Sequence, residues 1–164
     1  MEAEERKRIR IPVLLAAVAL PLAAGIFSAF LTAEDMAGYQ TMARPPLAPP
    51  GWLFPIVWTI LYAVMGIASY LVYASDAEPD YKRKTLLFYA AQLIMNMFWS
   101  TLFFTYGLYL LALVWLLIMW VLIIICAFRF YKINRAAGLM MTALFVWTTF
   151  AAYLNAGTYI LSLK

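Results

Sequence analysis

No histidine occurs in this chain, and charge is scarce: charged residues make up 12% of 164 positions, against about a quarter in soluble proteins. Without histidine, the commonest haem ligand and the commonest general base are both missing. The single cysteine, Cys126, rules out an intrachain disulfide and is expected to pack against lipid or a neighbouring segment. No metal-ligand cluster, catalytic pair of carboxylates or phosphate-binding glycine loop is visible, so a conventional hydrolase or metalloenzyme is not expected. The shortage of charge is concentrated. Four runs, 11–33, 45–75, 85–128 and 136–163, hold no Asp, Glu, Lys or Arg and cover 126 of the 164 residues. Pumps and proton-coupled carriers keep ionisable groups at membrane depth, so ion-coupled transport is disfavoured.

What fills those runs is apolar. Hydrophobic residues make up 66%, too many for the remaining polar side chains to cover as a soluble surface. The runs are continuous rather than alternating, as spanning helices require and membrane strands do not. As one helix, run 85–128 would extend about 66 Å, twice the hydrocarbon thickness of about 30 Å. It must fold back once, and Thr105-Tyr106-Gly107-Leu108-Tyr109, holding the run's only glycine, is the expected turn. The chain is therefore read as all-α, a polytopic membrane protein with a five-transmembrane-helix bundle in one domain, 1–164. Its helices are expected at about 11–32, 52–74, 85–105, 109–128 and 138–161. No internal repeat or low-complexity segment is visible.

The basic residues set the orientation. Arg6, Lys7, Arg8 and Arg10 precede the first helix, Lys82, Arg83 and Lys84 lie between the second and third, and Arg129, Lys132 and Arg135 lie between the fourth and fifth. The opposite side has only Arg44 and Lys164. This asymmetry predicts a cytoplasmic N-terminus. It also places the net charge of +4 in loops, so nucleic acid is not an expected partner. A basic N-terminus before an apolar stretch also has the form of a signal peptide. The stretch is long for one, and Leu31-Thr32-Ala33 is a poor cleavage site, so a retained first helix is expected.

Within the spans, the informative residues are aromatic and amide. Pro21 lies near the middle of the first helix, where a kink is expected. The first loop carries Tyr39, Arg44, Pro45-Pro46 and Pro49-Pro50, whose prolines favour extended backbone. It reads either as a stiff strap forming a lid over a cavity or as an ordinary solvated loop. Trp58 and Tyr62 are four apart on one helical face, and serve either helix packing or a ligand wall. Gln92, Asn96 and Ser100 share a face of the third helix beside Trp99. They make either interhelical hydrogen bonds or, at Asn96, a group orienting a ligand. Trp115 and Trp120 are expected to meet lipid or a partner subunit. In the fifth helix, Trp147 and Ala151 are four apart, so the small residue leaves room beside the indole or lets a neighbouring helix approach.

Three blocks carry a resemblance. The run from Arg44-Pro45-Pro46-Leu47-Ala48-Pro49-Pro50-Gly51-Trp52 through Trp58 to Tyr62 resembles the signature of the translocator protein, or tryptophan-rich sensory protein (TspO/MBR), family. Gln92 through Asn96 to Trp99-Ser100, followed by Leu102-Phe103-Phe104, is similar to its third-helix block. Trp147 through Phe150-Ala151-Ala152-Tyr153-Leu154-Asn155 is similar to its fifth-helix block. The three occur in the family's order and cover nearly the whole chain.

The resemblance implies a five-helix, generally homodimeric protein in a bacterial envelope or mitochondrial outer membrane. It implies a receptor or sensor for porphyrins of the protoporphyrin IX type, and for isoquinoline- or benzodiazepine-type drugs. Porphyrin would be a ligand, with no cofactor required. The implied pocket opens towards the first loop and uses Trp58, Asn96, Trp147 and Ala151, with Tyr62 and the strap residues Pro46 and Leu47 as weaker candidates. Two other activities are implied by members of the family. One is transport of porphyrin or a lipid-like molecule; the other is light- and oxygen-dependent porphyrin breakdown, for which Trp58 and Trp147 would supply the indoles. The chain departs from the family pattern at Leu47, where a lid tryptophan is usual, and at Ala143-Leu144, where Pro-Tyr is usual. A cholesterol-motif match in Leu154, Tyr159 and Lys164 is formal only: Ala156 stands where the motif's tyrosine is usual.

Overall fold

The computed structural model describes residues 9–40, 42 and 44–164. Arg6, Lys7 and Arg8 of the N-terminal basic cluster, and residues 41 and 43 of the first loop, lie outside the described residues. Five helices follow one another: α1 (Ile11–Thr32), α2 (Leu53–Tyr73), α3 (Pro79–Ser100), α4 (Tyr109–Ile133) and α5 (Arg135–Ser162). All five spans are long and apolar enough to cross a bilayer, and no strand occurs among the described residues. The protein is an integral, multi-pass five-helix membrane bundle.

Two helix starts differ from the sequence expectation, each for a local reason. α3 begins at Pro79 because Glu78 caps it, its carboxylate accepting from the backbone N–H groups of Asp80 (2.8 Å) and Tyr81 (2.6 Å). A carboxylate there also complements the helix dipole, and proline fits the first turn. Lys82, Arg83 and Lys84 therefore ride on the first turns of α3 rather than in a loop. The other is the α4–α5 junction, reduced to Asn134 alone. Its N–H donates to the Phe130 carbonyl (2.7 Å) while its side-chain oxygen accepts from Ala137 N–H (3.1 Å). One residue thus ends one helix and starts the next. α4 runs past Arg129 because that guanidinium is satisfied inside the bundle, donating to Thr85 Oγ1 (3.0 Å) and the Tyr81 carbonyl (3.3 Å).

The inner face of α4 explains why that helix is central. Ala112, Leu116, Met119, Ile123, Cys126 and Phe130, spaced alternately four and three apart, are all buried, while Leu110, Val114, Leu117 and Val121 face outward. Cys126 accordingly packs against protein rather than lipid. Trp115 and Trp120, expected to meet lipid or a partner subunit, are partly exposed and also pin neighbouring helices, donating to the Met95 carbonyl and Thr149 Oγ1, both at 2.8 Å.

α1 is the peripheral helix, with only Pro21, Ser28 and Thr32 buried. Apolar side chains gain little by leaving lipid for protein, so close backbone approach has to hold it. Gly66 of α2 supplies that approach: a methyl group on it would lie 2.5 Å from Val18 Cα. Gly25 does the same one level up, against the Tyr62 ring.

The first loop is only partly the extended strap expected. Asp35–Gln40 coils into a 3₁₀ turn, and the strap proper begins at Arg44. Pro45 seats in the notch left by Gly157 of α5. The Pro46 carbonyl accepts from Tyr153 Oη (2.8 Å), and the Pro49 carbonyl from Tyr39 Oη (3.0 Å). Ala48 N–H closes a turn onto the Pro45 carbonyl (3.3 Å), with Leu47 at φ 65°. At the same end, α3 loosens into a π-helical turn, Thr101–Thr105, before Gly107 (φ 61°) reverses the chain.

Candidate ligand-binding site

Between α1, α2 and α3, in the half of the bundle nearest the first loop, lies a cavity of about 630 Å³. That is within the size range of drug-like ligand sites. Pro55, Trp58, Thr59 and Tyr62 line it at helical spacing from α2, Gly25, Ser28 and Thr32 from α1, and Asn96, Trp99 and Ser100 from α3. None of its lining residues is charged. Ser28 and Ser100 share a hydrogen bond of 2.5 Å that ties α1 to α3.

The walls are aromatic and held in place. Trp58 stacks on Tyr62 with ring centroids 5.6 Å apart. Trp99 is fixed by its indole N–H, which donates to Asn155 Oδ1 (3.2 Å), and Asn155 Nδ2 in turn donates to the Tyr109 carbonyl (2.8 Å). Asn96 is different. It is 2% exposed, lines the cavity, and neither its Oδ1 nor its Nδ2 has a hydrogen-bond partner. Gln92, one turn away on the same face, is fully buried with both amide atoms equally unpartnered. Leaving such groups unsatisfied costs about 1–3 kcal/mol each, and of the two amides only Asn96 lines the cavity.

Trp58, Tyr62 and Asn96 are thus brought together on one cavity. Trp147 lies behind its wall, edge-on to Trp58 at 6.5 Å and to Phe54 at 6.0 Å. Ala151 borders a second, much smaller chamber of about 20 Å³ under the strap. Pro46 and Leu47 are exposed on the outer turn, Leu47 at 83%, and neither lines either space. Sequence reasoning passed over α1. Its signal was there in Gly25, Ser28 and Thr32, small or hydroxyl residues on one face of an otherwise lipid-like helix.

Of the residues lining the two spaces, Arg44 on the strap is the charged one. Arg44 lies over the Tyr39 ring, 5.1 Å from its centroid. Burial pushes the Tyr39 phenol up from its ordinary value, while a hydrogen bond and the charge from Arg44 pull the other way. The phenol therefore stays neutral and keeps donating to Pro49.

Residues 17–161 match the model of the TspO/MBR family. The chain is 32% identical over 139 residues to the tryptophan-rich protein TspO of Chlorobaculum tepidum, covering 84% of this chain and 88% of that protein. It is 32% identical over 117 residues to the tryptophan-rich sensory protein of Cereibacter sphaeroides, covering 71% and 72%. To the translocator protein of Bos taurus it is 30% identical over 138 residues, covering 83% and 82%.

Proposed function

The chain belongs to the TspO/MBR family of membrane sensor and translocator proteins, and on that premise we propose that it is a receptor for a flat, hydrophobic tetrapyrrole of the protoporphyrin type. The ligand occupies the cavity between α1, α2 and α3, which also admits apolar drug-like molecules. One observation carries the reading: an unpartnered buried amide, Asn96, stands in a charge-free aromatic cavity of about 630 Å³. Indole and phenol rings offer broad apolar faces to a planar ligand, and Asn96 both donates and accepts, so it fixes the ligand's rotation about its own plane. Iron need not be ligated, which suits a chain without histidine.

The test is a dark titration of the detergent-solubilised protein with protoporphyrin IX, read by tryptophan quenching. Saturable one-site binding is expected, weakened about tenfold by Asn96→Ala, the value of one hydrogen bond of about 1.4 kcal/mol. Trp58→Leu removes a cavity wall and weakens binding further. Unsaturable uptake, identical in all three proteins, would mean partition into detergent and would sink the reading.

A further inference from the structure

The large cavity and the small chamber under the strap are neighbours separated by side chains alone. Phe54, Trp99 and Phe104 line both spaces, so one aromatic partition faces the cavity on one side and Arg44 on the other. Two of its three members sit at the ends of their spans nearest the first loop. Phe54 is in the first turn of α2, directly after the strap, and Phe104 is in the π-helical turn that ends the third span. Such turns recur at functional sites because they carry a side chain out of ordinary helical register.

The charges at this end of the bundle are arranged asymmetrically. On the α1 side the cavity runs up to Ala33, which is followed by the carboxylates of Glu34 and Asp35. Asp35 accepts from Thr105 Oγ1 at 2.6 Å. An anionic group on a ligand is repelled there. On the strap side stands Arg44, which among the described residues makes no ion pair. Its neighbour is the ring of Tyr39. A guanidinium carries five N–H donors in a fork that matches a carboxylate. The cavity's own lining has no cation to offer, and an ionised carboxylate left unpaired among those aromatic walls would be strongly disfavoured.

We propose that the chamber beneath the strap is the anionic end of the ligand site: it takes a carboxylate of the ligand, held by Arg44, while the ring system stays in the large cavity against Trp58 and Asn96. The ligand class is therefore an amphiphilic acid, apolar and planar at one end and anionic at the other. The chamber as it stands holds about one water, so seating a carboxylate displaces that volume and swings Phe54 or Phe104 aside. This rests on the tetrapyrrole reading above and adds to it an orientation and an electrostatic anchor.

The experiment compares protoporphyrin IX, a diacid, with its neutral dimethyl ester on the wild-type protein, Arg44→Gln and Arg44→Lys. The wild type is expected to bind the diacid at least about tenfold more tightly than the ester, as a charge-assisted hydrogen bond allows. Arg44→Gln should bring the diacid down to the ester's affinity and leave the ester unchanged, and Arg44→Lys should restore part of the preference. A diacid-to-ester ratio unaffected by Arg44→Gln overturns the proposal while leaving the tetrapyrrole reading intact. So does an equal loss for both ligands, which would mean that Arg44 only packs the strap. Absence of saturable binding by either form would overturn the tetrapyrrole reading, and this proposal with it.

Discussion

Asn155 makes two hydrogen bonds, to the Trp99 indole and the Tyr109 carbonyl, and Asn96 makes none. Both are buried asparagines in spans, so sequence alone assigns them the same chemistry. The structure separates a residue whose amide ties two helices together from one whose amide is unpartnered at a cavity. Asn155→Ala leaves a buried indole N–H unpaired and is expected to destabilise the protein by about 1–3 kcal/mol. Asn96→Ala removes two unpartnered polar atoms and is expected to leave stability unchanged or raise it, while ligand affinity falls. Thermal unfolding of both variants in detergent checks the pair, and a larger stability loss for Asn96→Ala would contradict the assignment. The tryptophans divide similarly. Trp58 lines the cavity and Trp147 touches it only through Trp58 and Phe54. Trp147→Phe should therefore lower affinity by less than Trp58→Phe, and equal losses in the titration would place Trp147 in direct contact with ligand.

Helices were legible because charge-free runs of fixed length leave a membrane protein few choices: the expected first helix and Ile11–Thr32 coincide. Their junctions were not. A run-based reading ends each helix at the first charge, yet Glu78 starts α3 inside a charged stretch and Arg129 continues α4 by bonding across to Thr85. Both are tertiary or capping effects that hydropathy does not contain. The site was half legible for the same reason. Aromatic and amide residues on α2 and α3 stand out, whereas the contribution of α1 depends on where that helix docks. That docking rests on Gly66, whose missing side chain lets the Ala17–Val18 backbone come close. Gly66→Val should push α1 away from α2, lower thermal stability and degrade ligand binding together, because α1 forms one cavity wall. Gly38, where a methyl group meets nothing within 4 Å, is the matched control, and Gly38→Ala should change neither. The strap offers a further check at this scale. Leu47 holds a left-handed turn position that favours glycine, and its side chain points away from the cavity. Leu47→Gly should thus be tolerated, with ligand affinity unchanged in the same titration.

At the scale of the whole molecule, the two ends of the bundle are chemically distinct. Arg10, Lys82, Arg83, Lys84, Arg129, Lys132 and Arg135 gather at one end, and the other has Arg44 and Lys164. Excess Lys and Arg in short loops is retained on the cytoplasmic side, and the cavity lies at the basic-poor end, under the first loop. The same asymmetry predicts that the site belongs to the leaflet facing away from the cytoplasm and that the ligand arrives from that side or from within that leaflet. Cysteine labelling tests this directly, because the only native cysteine, Cys126, is buried and should not react. Leu47→Cys places a thiol on the exposed strap turn, and Ala136→Cys places one just after the α4–α5 junction. In intact spheroplasts, a membrane-impermeant maleimide is expected to label Leu47→Cys and spare Ala136→Cys until the membrane is opened, with wild type unlabelled throughout. The reverse pattern would put the N-terminus outside and turn the ligand site towards the cytoplasm. A receptor so oriented would sample a cytoplasmic pool, and Arg44 would then face the anions of the cell interior rather than those beyond it.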